Sequence, residues 1–298
     1  MNSTFKKRLV GSICVAVLAA SASCGGSRAP AASASAAACP SLPNDPAHPH
    51  FGYDPNDTVD GPSAWGTIRD GAGAPAYPAC ATSTQQQAPI AFPATSAPWA
   101  TGGVKLDGLT LSWSKAAVAT AVINNGHTWK ALVGPSPANT ISVQNETYTM
   151  SQFHVHSPSE HTVGGKQYPL EAHFVHGGGK GFAGVAVGVF FEEDTVDNAE
   201  LAKVWSKFSA CPQATEASLP AATTLDLTAL LPANASHFEY DGGLTAPPCS
   251  QVVHFFIMTT PIKASAAQIK ALRDALGPNA RPTQPVLNQK SVTYQSQN

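Results

Sequence analysis

The stretch Ser151-Gln152-Phe153-His154-Val155-His156, answered by Leu170-Glu171-Ala172-His173-Phe174-Val175, decides how this chain reads. Phe153, Val155, Phe174 and Val175 favour extended backbone, and Gly164-Gly165-Lys166 between the segments is a turn signal. Strand residues alternate faces, so His154 and His156 share one, with Cα atoms roughly 6–7 Å apart. A neighbouring antiparallel strand can bring His173 alongside. Three neutral imidazoles meeting at one point suit zinc and leave a fourth tetrahedral position for water, a catalytic rather than a structural arrangement. Histidines at alternate strand positions can also simply line a half-buried face. Their neighbours favour the metal: Glu171 and Gln152 each stand two residues before a histidine, on its own face. So placed, each can accept the second ring N–H, fixing the tautomer and raising the basicity of the ligand.

Further along the chain, short apolar alternating runs recur. Residues 106–113, 118–123, 140–143, 152–156, 171–175, 183–191 and 251–259 read as strands. Ser265 to Leu276 is the clearest helix: Ser265 can cap it, Ile269, Leu272 and Leu276 form an apolar stripe, and Gly277-Pro278 ends it. Ala199 to Phe208 is a weaker one. Many strands with few helices indicate a mainly β (α+β) fold, a mostly antiparallel sheet with peripheral helices. Gly177-Gly178-Gly179-Lys180-Gly181 lacks a Ser or Thr after the lysine and sits between strands, so it reads as a hairpin turn and not a phosphate loop. Glu192-Glu193-Asp194 reads as a solvated turn at a strand end. Ser159-Glu160-His161, read as strand, would alternate faces and could not act as a nucleophile–base relay.

Lys6-Lys7-Arg8, the apolar run Leu9–Ala20 and the small residues after it form an export leader, here assigned to residues 1–23. Ala20-Ser21-Ala22 suits ordinary cleavage. Ser21-Ala22-Ser23-Cys24 loosely resembles a lipoprotein box, which would anchor the protein to a membrane through Cys24. Residues 24–44, rich in Ala, Ser, Pro and Gly, read as a flexible tether, and 45–298 as one large domain. The protein is thus expected to be exported, to the periplasm or the exterior. Charged residues make up 12% of the chain; losing the leader takes 17 basic residues to 14, against 19 acidic. No basic stripe is present, which argues against nucleic acid as a partner. No Cys-x-x-Cys pair occurs, so a thiolate zinc site is disfavoured and Cys39, Cys80, Cys211 and Cys249 are disulfide candidates.

These segments, with Asn124-Asn125-Gly126-His127 upstream and Leu244-Thr245-Ala246-Pro247-Pro248-Cys249 downstream, resemble the alpha-class carbonic anhydrases of the bacterial secreted type. The likeness spans roughly residues 49–295. It includes Gly52-Tyr53, Trp65, Gln87-Ala88-Pro89-Ile90 and Asn279-Ala280-Arg281-Pro282. It implies a large twisted sheet of about ten strands with the metal in a central conical cleft. It implies an enzyme, a carbonate dehydratase, in which hydroxide on zinc held by His154, His156 and His173 attacks carbon dioxide to give bicarbonate and a proton. By the same resemblance Thr245 and Glu160 orient the attacking group, His127 shuttles protons, and Val175, Ala186, Leu244, Val253 and Phe255 wall the substrate pocket. It further implies a Cys80–Cys249 disulfide, with Cys39–Cys211 as the remaining pair, and inhibition by sulfonamides or small anions. Phe255 stands where the family usually has tryptophan, and Ala246 where threonine is usual. Side hydrolysis of esters would follow from the same chemistry, whereas a non-catalytic binding module of this fold would show a broken histidine triad. Cobalt or iron would accept the same ligands, and monomer and homodimer both remain open.

Overall fold

The computed structural model describes residues 39, 49–81, 84–95, 109–220 and 223–297. The leader, Cys24, nearly all of the tether and residues 106–108 of the first expected strand lie outside them. In chain order the elements are β1 (Ala91–Phe92), β2 (Thr110–Ser112), β3 (Ala117–Asn124), β4 (Trp129–Val133), β5 (Thr140–Val143), β6 (Glu146–His156), β7 (Thr162–Val163) and β8 (Lys166–Gln167). They continue with β9 (Leu170–Gly177), β10 (Gly184–Asp194), α1 (Ala199–Trp205), β11 (Ala217–Ser218), β12 (Thr224–Leu225), β13 (His237–Gly242), β14 (Val253–Ser265), α2 (Ala266–Leu276) and β15 (Thr293–Gln295).

Twelve of these strands form one sheet, with the main order β11-β3-β4-β6-β9-β10-β14-β13-β15. β1, β7 and β8 form a small second sheet. Within the large sheet every pairing is antiparallel except β10 with β14. α1 lies in the connection that returns the chain to that parallel edge, as a parallel pair requires a long crossover.

Alternation along the central strands separates two jobs. On β9, Leu170, Ala172 and Phe174 enter the main core with Val185, Val187, Val189 and Phe191 of β10. Leu201 and Trp205 of α1 and Ile269 and Leu272 of α2 close that core from the same side. Glu171, His173 and Val175 therefore face the opposite side. On β6 the phase must change: Met150 and Phe153 are both core residues although three positions apart. A register shift between Met150 and Gln152 supplies the extra residue, and beyond it Gln152, His154 and His156 turn away from the core.

α2 begins as its sequence indicates. Ser265 accepts from Gln268 N–H in a capping box, and the Gly277 N–H closes the helix on the Arg273 carbonyl with φ at 70°. α1 is capped by Asn198 and ends at Trp205, short of Phe208. The Gly-rich stretch is the expected hairpin turn between β9 and β10. Gly179 is needed there, because a Cβ would lie 2.3 Å from the Tyr148 ring. Two expectations change. Glu192, Glu193 and Asp194 do not form a turn but continue β10 beside Lys263–Ser265, with Lys166 and Lys263 paired to Glu192. Ser159-Glu160-His161 is not strand; it follows the end of β6, and the Ser159 hydroxyl is spent on the His161 carbonyl at 2.8 Å. No relay forms there, for that reason rather than alternation. Both disulfides, Cys39–Cys211 and Cys80–Cys249, are present. The first ties Cys39, from the expected tether, to the segment after α1.

Candidate metal centre

β6 and β9 are antiparallel neighbours with His154 directly opposite His173, and His156 two residues on opposite Glu171. Each of the three histidines offers a ring nitrogen within 4.8 Å of the others. Their ring centroids are 4.9–5.3 Å apart.

Each ring has one nitrogen committed to the protein. His154 Nδ1 is 2.9 Å from Gln152 Oε1, and His156 Nδ1 donates to the Asn279 carbonyl at 2.8 Å. His173 reverses the pattern, with Nε2 against Glu171 Oε1 at 2.8 Å. The nitrogens left over for a metal are His154 Nε2, His156 Nε2 and His173 Nδ1, and the last two both face Glu160 Oε2, at 3.4 and 3.9 Å. His156 Nε2 is buried without a hydrogen-bond partner. An orphaned buried acceptor costs on the order of 1–3 kcal/mol, a cost that a bound cation removes. The residues therefore fit a metal ion held by three nitrogens.

Glu171 is the hub beneath this site. Its Oε2 accepts the backbone N–H groups of Glu160 and His161 at 2.9 Å each, and its Oε1 takes His161 Nδ1 at 2.7 Å as well as His173. His161 Nε2 in turn meets the Tyr240 hydroxyl at 2.7 Å. Burial works to raise the Glu171 carboxyl, but His161 and His173 outweigh it and hold it well below the carboxylate range. For His173 burial pulls downward and Glu171 wins, raising it. Burial, together with repulsion from His156 and His173, drives His154 well below its ordinary value. His156 is also lowered, burial prevailing over the pull of Glu160. Neutral His154 and His156 are the forms a metal requires.

Glu160 is wholly buried. Its Oε1 accepts the Arg281 backbone N–H at 3.0 Å, while Oε2 has no hydrogen-bond partner and lies 3.4 Å from His156 Nε2 and 3.9 Å from His173 Nδ1. Thr245 is buried and lines the cleft together with His154 and His173, but no hydrogen bond joins it to Glu160. Val175, Ala186, Leu244, Val253 and Phe255 line the same cleft, which encloses about 460 Å³. The register Val175–Ala186–Phe255 across β9, β10 and β14 settles that Ala186 faces it.

His127 sits in the turn between β3 and β4, fixed through its backbone by Asn125 Oδ1 and by Asn279 Nδ2. Its ring lies flat on Phe51, centroids 3.8 Å apart and planes 5° from parallel, with His50 at 5.9 Å. Burial, with His50 adding to it, lowers its pKa to about 4.

Four residues with no assigned role in the sequence reading prove to hold the site. Asn279 supports His156, accepts the Ser157 N–H at 2.7 Å and donates to Val155 and His127. Arg281 reaches Glu160 through its backbone, and through its guanidinium Gln87 and Ala88. Tyr240 and Phe51 brace His161 and His127. Asn279 and Arg281 were signalled by the Asn279-Ala280-Arg281 likeness, whereas nothing in the sequence pointed to Tyr240 or Phe51, which no local pattern ties to the histidines.

The model of the eukaryotic-type carbonic anhydrase family matches residues 60–296. A carbonic anhydrase of Pectobacterium carotovorum is 34% identical over 239 residues, covering 80% of this chain and 88% of the relative. The solved structure of Photobacterium profundum alpha-carbonic anhydrase aligns with a TM-score of 0.67 at 33% identity, over 82% of this chain and 100% of that one. The Thermovibrio ammonificans alpha-carbonic anhydrase, in complex with sulfanilamide, aligns at 0.68 and 34% identity over 82% and 98%. Likeness at that level, over nearly the whole described domain and on the same sheet, makes this chain a member of the eukaryotic-type carbonic anhydrase family and an enzyme of that kind.

Proposed function

We propose that the enzyme hydrates carbon dioxide reversibly to bicarbonate and a proton, with zinc held by His154, His156 and His173. The observation that carries this is that each ring has one nitrogen bonded to the protein, while a ring nitrogen of each lies within 4.8 Å of those of the other two. Three imidazoles, with no fourth side chain in that set among the described residues, match the open catalytic zinc pattern. Zinc so bound supplies Lewis acidity that brings the pKa of coordinated water to about 7, a value known for carbonic anhydrases rather than read from this chain.

The chain's own residues do the rest. Gln152, Asn279 and Glu171 hold the three rings in register for the ion. Thr245, not bonded to Glu160 in this structure, would on loading of the site donate its hydroxyl proton to the unpartnered Glu160 Oε2 and orient the attacking water with its own lone pairs. That fixes the direction of attack. Val175, Ala186, Leu244, Val253 and Phe255 present carbon and no charge to an apolar substrate. His127 is assigned the transfer of the released proton to buffer, which it can perform only with its ring off the Phe51 face, since burial there holds its pKa near 4. The sulfonamide on the Thermovibrio relative supports the same class of inhibitor here, with small anions beside it. The leader pattern and two disulfides support export to an oxidising compartment, with membrane attachment if Cys24 carries a lipid.

Metal analysis of purified protein with stopped-flow carbon dioxide hydration tests the reading. Stoichiometric zinc and rapid hydration are expected, and both are lost in His154→Ala. Zinc-loaded protein that leaves hydration at the buffer rate would overturn it.

A further inference from the structure

The row of the sheet that holds two of the ligands also carries a charge that the reaction above does not use. Strand pairing sets Gly188, His173, His154, Lys130 and Ile123 side by side across β10, β9, β6, β4 and β3. Residues paired across antiparallel strands point to one face, so Lys130 leaves the sheet on the same side as His154 and His173. Burial agrees: its neighbours along β4, Trp129 and Ala131, both belong to the main core on the other side. A lysine thus stands one strand away from a metal-site histidine, with Cβ atoms about 4.5–5.5 Å apart by the usual spacing of such pairs.

By itself such a placement works against the centre, because a positive charge repels a divalent cation. Nor do its surroundings call for a cation. Its neighbours on that face are uncharged: Ile123 in register on β3, Leu132 two residues on along β4, and Gln152 in register with Leu132. The carboxylates of the centre are committed elsewhere, Glu171 to two backbone N–H groups, His161 and His173, and Glu160 to the Arg281 N–H. Among the described residues the carboxylate that reaches Lys130 is Glu216, just before the edge strand β11. Nζ and Oε1 are 3.8 Å apart and the side chains 28% and 44% exposed. That is longer than the about 2.7–2.9 Å of a charge-assisted hydrogen bond. An exposed pair of this kind holds its ammonium loosely. Elsewhere the balance of charge is negative, 14 basic against 19 acidic residues once the leader is lost, so an anion nearing the cleft meets Lys130 as a local exception.

We propose that Lys130 is the anion-holding residue of the cleft: its ammonium draws a small monovalent anion to the metal centre and keeps it there, bicarbonate in the working enzyme, while Glu216 competes with that anion for it. The proposal rests on the metal-centre reading above and adds to it the residue that sets how strongly a charged product stays. The interaction is one of charge, with no bond made or broken, and it has a sign. Removing the charge of Lys130 weakens the hold on an anion, and removing that of Glu216 strengthens it. Carbon dioxide, being uncharged, takes no part in it.

The test is a binding measurement, independent of turnover. Zinc-loaded wild type, Lys130→Gln, Lys130→Arg and Glu216→Gln are each titrated with a fluorescent aryl sulfonamide, which is then displaced by thiocyanate and, separately, by bicarbonate at low ionic strength. Lys130→Gln should weaken both anions about three- to fivefold, the scale of an exposed ion pair. Lys130→Arg keeps the charge and should keep the wild-type affinities. Glu216→Gln should move them the other way, tightening both anions by up to about threefold. A lysine that serves only the packing of β4 would not give shifts of opposite sign. Anion affinities unchanged in Lys130→Gln, or moving in the same direction in the two neutral variants, would overturn the proposal. Zinc-treated wild type that binds no sulfonamide would count against the metal-centre reading itself, and this proposal would fall with it.

Discussion

His173 and His127 are both histidines to which the proposed reaction gives a role, and they are held in different ways. His173 is 2% exposed, its Nε2 fixed by Glu171, which is itself fixed by two backbone N–H groups and His161. Among the described residues the His127 ring makes no hydrogen bond and rests chiefly on the face of Phe51. A hydrogen-bonded ring keeps one orientation and one tautomer, as a metal ligand must. A ring held by stacking lacks that constraint, which suits the proton-carrier role proposed for His127. The difference is between a ring fixed by polar partners buried with it and one laid on an apolar surface.

The largest effect expected from breaking this contrast is at its rigid end. Glu171→Ala strands the His161 and His173 ring N–H groups and two backbone donors, each costing on the order of 1–3 kcal/mol if it stays unpaired. Metal affinity should fall about 10–100-fold, read by competition with a chelator, and the urea midpoint should drop with it. His127→Ala should leave metal affinity and the urea midpoint nearly unchanged. Its effect should be on turnover in dilute buffer, reduced by about 10–100-fold and restored by added imidazole.

Phe51→Ala sharpens the comparison from the other side. Removing the stacking face exposes His127 to water, so its pKa, followed by NMR, should rise from about 4 toward the ordinary 6.5. The smallest effect is on stability. Because the folded pKa lies below the unfolded one, the unfolded chain binds the extra proton between pH 6.5 and about 4. The His127 contribution is therefore complete above pH 6.5 and is lost as pH falls through that window. His127→Phe keeps the stack and removes the proton, so its urea midpoint should depend less on pH there than the wild type does.

The parts of the molecule legible in the sequence were those written within one strand or one helix. His154, His156 and His173 with Gln152 and Glu171 needed only the two-residue period, and α2 only its cap, stripe and closing glycine. Asn279 could not be read that way: it lies 123 residues from His156, and its carbonyl, the group that matters, is common to every residue. The parallel pairing of β10 with β14 was equally hidden, since a strand buried on both faces shows the same apolar run whichever way its neighbour points. Glu192-Glu193-Asp194 misled because charge reads as solvent, whereas here Lys166 and Lys263 answer it across the strand. The Phe51–His127 stack depends on a loop crossing that no local pattern encodes.

X-ray absorption at the zinc edge of the purified enzyme tests the central claim most directly. Three nitrogen neighbours at about 2.0–2.1 Å and one exchangeable oxygen are expected, the oxygen being replaced when a sulfonamide is added. A fourth protein ligand in that position, or fewer than three nitrogens, would contradict the account.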